Sequence, residues 1–233
     1  MDAIKSKTSV VFMQYAIPSV LGMLAISSAS IVDGFFVGNY VGASGLAAIN
    51  MSLPIFSLLF GLALMLAIGS SVITGKLMGG GNTTSASIMF TKTFIAMILL
   101  SITLVTLIYI NLDTILKLFG VTNELMGIAT LYLSYILFFI PFLMVGIVLD
   151  YFVKIDNRPS LAFGALLLSA LVNIILDWYM IVYLEKGIVG AALATGISQL
   201  ALFVVIASLF FKKSKHKICK TNRLLDSYYK SRY

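Results

Sequence analysis

The chain carries long apolar runs at 15–40, 46–75, 88–111, 125–149, 160–184 and 188–211, separated by short connections that hold most of its charge. Each run reaches the roughly 20 residues that a helix needs to cross the hydrocarbon core of a bilayer. Backbone in lipid must satisfy its own hydrogen bonds, and the sequence has no succession of alternating segments of the kind a barrel requires. The expected fold class is therefore all-α, a polytopic membrane protein with six transmembrane helices. Composition agrees. Of 233 residues 60% are hydrophobic and 11% charged, against about 45–50% and about 25% in soluble domains. A single Cys219 and a single His216 exclude an internal disulfide framework, a Cys-x-x-C site and a histidine-ligated metal centre. No cofactor is expected, and an enzyme of the metal or thiol type is not. The net charge of +7 is spread between apolar runs rather than gathered with aromatics on a polar platform, which argues against nucleic acid.

The basic residues set orientation instead. Lys5 and Lys7 precede the first run, Lys76 and Lys92 flank the second connection, Lys154 and Arg158 lie in the fourth, and the remainder crowd the tail. Of the 16 Lys and Arg residues only Lys117 and Lys186 fall on the opposite side. Cytoplasmic loops are the ones enriched in Lys and Arg, so both termini are expected in the cytoplasm. Residues 1–211 then form a six-helix transmembrane domain, and 212–233 a basic cytoplasmic tail or linker able to meet anionic membrane lipid. The first run is too long for a signal-peptide core and contains Asp33, so it is expected to stay as a span.

Seven of the nine acidic residues read as loop, tail or helix-end positions, which leaves Asp33 in the first run and Asp177 in the fifth. An aspartate at mid-membrane costs roughly 2.5–3.5 kcal/mol on insertion scales, and such a residue normally faces a bundle interior or a watery cavity. The two helices run in the same direction, and at a rise of 1.5 Å per residue both aspartates sit about 10 Å below the non-cytoplasmic end. Tyr132 on the fourth helix and Thr195 on the sixth, which run the other way, reach the same depth. Ser169, Asn173 and Asp177 form one stripe on the fifth helix, and Thr195 is followed by Ser198 and Gln199 on the sixth. Carboxylate, amide and hydroxyl oxygens are hard donors suited to H⁺ or Na⁺. Two carboxylates in one apolar pocket cannot both ionise cheaply unless a cation neutralises the pair. The simpler reading of Ser169, Asn173, Ser198 and Gln199 is interhelical hydrogen bonding, and that of Tyr132 is packing. Gly34, Gly38 and Gly42 read as a small-residue ladder for close helix approach. Pro18 and Pro54 permit bends.

Taken together, Ile17-Pro18-Ser19, Val32-Asp33-Gly34-Phe35-Phe36-Val37-Gly38, the run from Val41 to Asn50 with Pro54 after it, the segment Gly69 to Lys76, and Asn173-Ile174-Ile175-Leu176-Asp177 resemble the multidrug and toxic compound extrusion (MATE) transporters over residues 10–211. The resemblance implies one amino-terminal six-helix lobe of a two-lobe fold. It implies H⁺- or Na⁺-driven antiport of amphipathic, often cationic drugs or toxic compounds across a bacterial plasma membrane. It also implies a cation site at Asp33, Asn173, Asp177 and Thr195, a cavity-lining Tyr132 with Ser169, Ser198 and Gln199 nearby, and a hinge at Pro18. Members of the family have two related halves, whereas this sequence has one, so a second six-helix lobe is expected as partner: a missing carboxy-terminal half, a split gene product or a second copy. Three alternatives remain open at this stage. They are a lipid-linked precursor flippase, which calls for a cationic cavity, a lobe that only assembles with others, and more remotely an intramembrane aspartyl protease.

Overall fold

The computed structural model describes residues 8–213. Lys5, Lys7 and residues 214–233 of the expected basic tail lie outside them. Among the described residues all regular structure is helical: α1 (Thr8–Phe36), α2 (Ala43–Gly79), α3 (Thr83–Ile110), α4 (Leu112–Leu118), α5 (Asn123–Leu137), α6 (Ile140–Ile155), α7 (Pro159–Asp177) and α8 (Gly187–Lys213). Five spans are continuous. The sixth, fourth in chain order, is the pair α5 and α6 bent by 50°. The six expected spans are thus present, with one of them broken.

Local chemistry accounts for the boundaries. Gly42, at φ 97°, takes a backbone conformation closed to most residues and separates the first span from α2. Asn82 caps α3, its side-chain oxygen accepting from the Ser85 amide at 3.0 Å. Pro159 opens α7 at a position where a missing amide hydrogen costs nothing. The break in the fourth span falls at Phe138-Phe139, just before Pro141. Proline supplies no amide hydrogen to the carbonyl four residues back and crowds it, so the ladder opens there. α2 runs for 37 residues, about 55 Å, and so projects well beyond a hydrocarbon core of roughly 30 Å. The connection between α3 and α5, expected as a loop, contains the short helix α4.

Both helices that carry the membrane aspartates change pitch just beyond them. Asp33 is followed by a π-helical stretch at Val37–Val41, and Asp177 by another at Trp178–Tyr183. π-turns insert an extra residue and concentrate at functional sites. No periodicity in the sequence announces them, although stacking of Tyr183 on Tyr179 and Trp178, at 5.6 and 6.4 Å, braces the second.

α1 packs chiefly on α7, α7 on α8, and α8 on the broken pair, while α2 closes the bundle against α3, α5 and α6. The core is built of small side chains on α2 (Ala48, Ala63, Ala67) and larger ones on α5 and α6 (Leu133, Leu137, Met144, Leu149). Phe90, Phe152 and Phe210 meet there with ring centroids 4.9 and 5.3 Å apart. Gly22 and Gly196 are among the glycines that permit close approach. A Cβ on Gly22 would stand 2.7 Å from Leu166, and one on Gly196 would overlap the Phe139 ring. The ladder expected at Gly34, Gly38 and Gly42 does no such work, because Gly34 and Gly42 have nothing within 4 Å of that position and Gly38 meets only Leu46 at 3.9 Å.

Candidate functional site

The α7 stripe is stitched to α8 by its hydroxyls and amide. Ser169 donates to the Ser198 carbonyl at 2.8 Å, Asn173 donates from its amide nitrogen to the Thr195 hydroxyl at 3.5 Å, and Ser198 turns back to the Thr195 carbonyl at 2.7 Å. Toward a cation, the atom Asn173 can offer is its carbonyl oxygen. α1 lies across the seam. Ile26, Ala29, Ser30 and Asp33 from α1 close a cavity of about 80 Å³ whose other walls are Ser169, Ala170, Asn173, Thr195, Ser198 and Gln199. Its volume is several times what one water molecule requires and far below the roughly 300–1,000 Å³ of a drug-sized pocket.

Asp177 lies one turn beyond Asn173 and is wholly buried. Its carboxyl lies near enough to that of Asp33 for the two to interact electrostatically. Among the described residues, both Asp177 oxygens and Asp33 Oδ1 are buried without a hydrogen-bond donor. A buried carboxylate oxygen left in this way is costly unless a proton or cation meets it. The charged neighbours of Tyr132, itself buried, are these same two aspartates. Its ring stands edge-on to Phe56 at 6.2 Å, and it is not in the wall of the 80 Å³ cavity.

The structure therefore gathers Asp33, Asn173, Thr195, Ser169, Ser198 and Gln199 around one cavity, with Asp177 one turn beyond Asn173 and, like Tyr132, within electrostatic range of Asp33 but outside the cavity wall. Pro18 lies inside α1, four turns before Asp33 and outside the cavity. The residues that could hold a small cation are Asp33 and Asp177, with the neutral oxygens of Asn173 and Thr195 at hand.

Two acidic residues assigned to loops or helix ends are buried as well. Asp150 sits within α6, its Oδ2 receiving Lys154 at 2.6 Å, and Asp156 is wholly buried at the end of α6 beside Arg158 at 3.4 Å. Arg158 also reaches the Leu209 carbonyl of α8 at 3.5 Å, and Tyr15 of α1 donates to Asn157 at 2.5 Å. The i, i+4 spacing of Asp150 and Lys154 was the available signal for the first pair.

Six apolar spans, with aspartates inside the first and the fifth, define a multi-pass membrane protein. The family model MatE matches residues 18–179. The chain belongs to the MATE family, and membership of a transporter family sets the protease alternative aside. It is 28% identical over 199 residues to the multidrug export protein MepA of Staphylococcus saprophyticus, which covers 85% of this chain and 43% of that protein. Among solved structures, it is similar to a multidrug resistance MATE family transporter of the MOP superfamily in an outward-facing conformation. That likeness has a TM-score of 0.86 at 24% identity and covers 91% of this chain and 47% of the other. A MATE structure in a bent conformation superposes with a TM-score of 0.82 at 25% identity over 88% of this chain and 46% of that one. The chain thus spans about half the length of the relatives it matches.

Proposed function

We propose that this chain is one six-helix lobe of a cation-coupled antiporter that exports amphipathic, often cationic compounds, with both termini in the cytoplasm. The observation that carries the reading is that Asp33 Oδ1 and both oxygens of Asp177 are buried without a hydrogen-bond donor among the described residues. While both are ionised they repel, and α1, which bears one of them, is held to α7, which bears the other, at a cost. A proton or Na⁺ from outside removes that repulsion and draws α1 onto α7 and α8, with Asn173 and Thr195 supplying neutral oxygens. Pro18 leaves α1 one hydrogen bond short and is where the helix can change direction. A related structure described as bent is in keeping with such a change.

Exported compound cannot share the 80 Å³ cavity, so it binds elsewhere, and ion and compound exchange because they favour different arrangements of the lobe. Transport by rocking requires a second bundle around the shared site. That lobe is the remaining half of a longer chain, a separately encoded partner or a second copy. Large side chains uncovered along α1, among them Phe12, Ile17, Met23, Ile31 and Phe35, give it an apolar face. A flippase of lipid-linked precursors would call for a cationic cavity, whereas among the described residues the only charged side chain in this wall is Asp33. In a complete two-lobe exporter containing this lobe, Asp33→Asn and Asp177→Asn should each abolish gradient-driven drug export while leaving insertion in the membrane intact. Undiminished export in both variants would refute the assignment.

A further inference from the structure

Away from the acidic pair, on the side of the bundle formed by α3, the broken α5–α6 pair and α8, a second cavity of about 510 Å³ lies between Ile98, Ile102, Phe138, Pro141, Phe142 and Phe203. It continues along α3 into a space of about 350 Å³ that shares Val105, Thr106, Leu137 and Phe138 with it and ends at Tyr109 and Ile110. Ile98 and Ile110 are 12 residues apart on one helix, a distance of about 18 Å. The groove thus runs parallel to the spans, from the membrane boundary at the Asn111 end to beyond the middle of a hydrocarbon core roughly 30 Å thick.

Its walls exclude a polar occupant. Ser101, Thr106 and Ser134 all return their hydroxyl hydrogens to carbonyls of their own helices, at 3.0, 2.8 and 2.6 Å, and among the described residues no charged side chain borders either space. A small inorganic ion finds no charged ligand in this wall, which is apolar and aromatic and suits a hydrocarbon chain. The groove also lies away from the uncovered apolar face of α1, which contributes none of its walls. Tyr109, exposed at the outer end, is of the residue type that settles at headgroup level.

We propose that this groove holds one acyl chain of a membrane phospholipid from the leaflet bordering Asn111, lying along α3 with its methyl end against Phe142 and Val145. The site is built on the break in the fourth span. Leu137, Phe138 and Pro141 form its wall, while Phe139 between them lies against Gly196, the neighbour of Thr195. An acyl chain seated there fills the gap opened by the bend and holds the break in place. The proposal needs a chain inserted in a bilayer and does not depend on ion coupling.

The test is photolabelling of the full chain in vesicles of phosphatidylethanolamine and phosphatidylglycerol that contain phosphatidylethanolamine with a diazirine at the methyl end of one acyl chain. Adducts should concentrate on peptides bearing Ile98, Phe142 and Val145, and should move towards Tyr109 and Ile110 when the diazirine is placed near the ester. Ile102→Trp and, separately, Val105→Trp fill the groove and should lose the deep adducts, whereas Leu99→Trp, on an exposed side chain outside it, should keep them. Labelling as dense on the open face of α1 as in the groove, or deep adducts that survive both filling variants, would overturn the proposal. So would their displacement by tetraphenylphosphonium, which would mark a drug site, or cross-links between two copies through this face.

Discussion

Gly196 offers the sharpest test of the packing that positions the acidic cavity, because it stands beside Thr195 and its missing Cβ is occupied by the Phe139 ring. In Gly196→Ala three ring atoms would lie within 3 Å of the new carbon, so the ring or the α8 backbone must move. Forcing a methyl group into a packed core costs typically 1–3 kcal/mol. Near the middle of that range, about 2 kcal/mol lowers the ratio of folded to unfolded protein by about 30-fold, and the apparent Tm falls by about 4–8 °C for a chain of this size. Phe139→Ala alone empties the space and should cost about 3–5 kcal/mol. In the double variant the overlap no longer exists, so adding Gly196→Ala to Phe139→Ala should cost nothing further, which gives a coupling of about 2 kcal/mol. Thermal unfolding of the four proteins in one detergent, followed by circular dichroism, measures this. A Gly196→Ala protein within about 0.5 kcal/mol of the parent, or effects that simply add, would refute the reasoning.

Other outcomes follow from single contacts. Ser169→Ala removes one α7–α8 hydrogen bond and should cost only about 0.6 kcal/mol by unfolding in detergent. Lys154→Ala leaves Asp150 buried without its partner and should cost about 3 kcal/mol, while Asp150→Asn in that background recovers much of the loss. Asn173→Leu withdraws a neutral oxygen from the cavity wall and should weaken protection against thermal unfolding by Na⁺ or by acid by about 1.5–3 kcal/mol, or roughly 10–150-fold in ion affinity. Unchanged protection would remove Asn173 from the site.

Much of the arrangement is legible in the sequence because lipid is a severe solvent. Length and apolarity place the spans. The cost of a carboxylate in hydrocarbon singles out Asp33 and Asp177, and the constant rise of a helix puts them at one depth. The spacing of Ser169, Asn173 and Asp177 points them along one face. What escapes are the departures from a regular helix. The π-turns after both aspartates and the break at Phe138-Phe139 depend on tertiary packing, and Pro141 alone does not distinguish a kink from an interruption. The glycines mislead in the same way. Spacing favours Gly34, Gly38 and Gly42, yet close approach occurs at Gly22 and Gly196, where a neighbouring helix happens to present Leu166 or Phe139. Asp150 and Asp156 look like end-of-helix charges, and their burial follows from how α6 sinks between α2, α3 and α8.

The most direct measurement is difference infrared spectroscopy of the carboxyl stretch on the purified chain in vesicles, titrated with acid and then with Na⁺. If Asp33 and Asp177 hold one cation between them, a single protonated-carboxyl band appears on acidification. It changes on adding Na⁺ if that ion competes for the site, and either Asp33→Asn or Asp177→Asn abolishes or displaces it. Two independent bands, each untouched by removal of the other aspartate, would contradict the account.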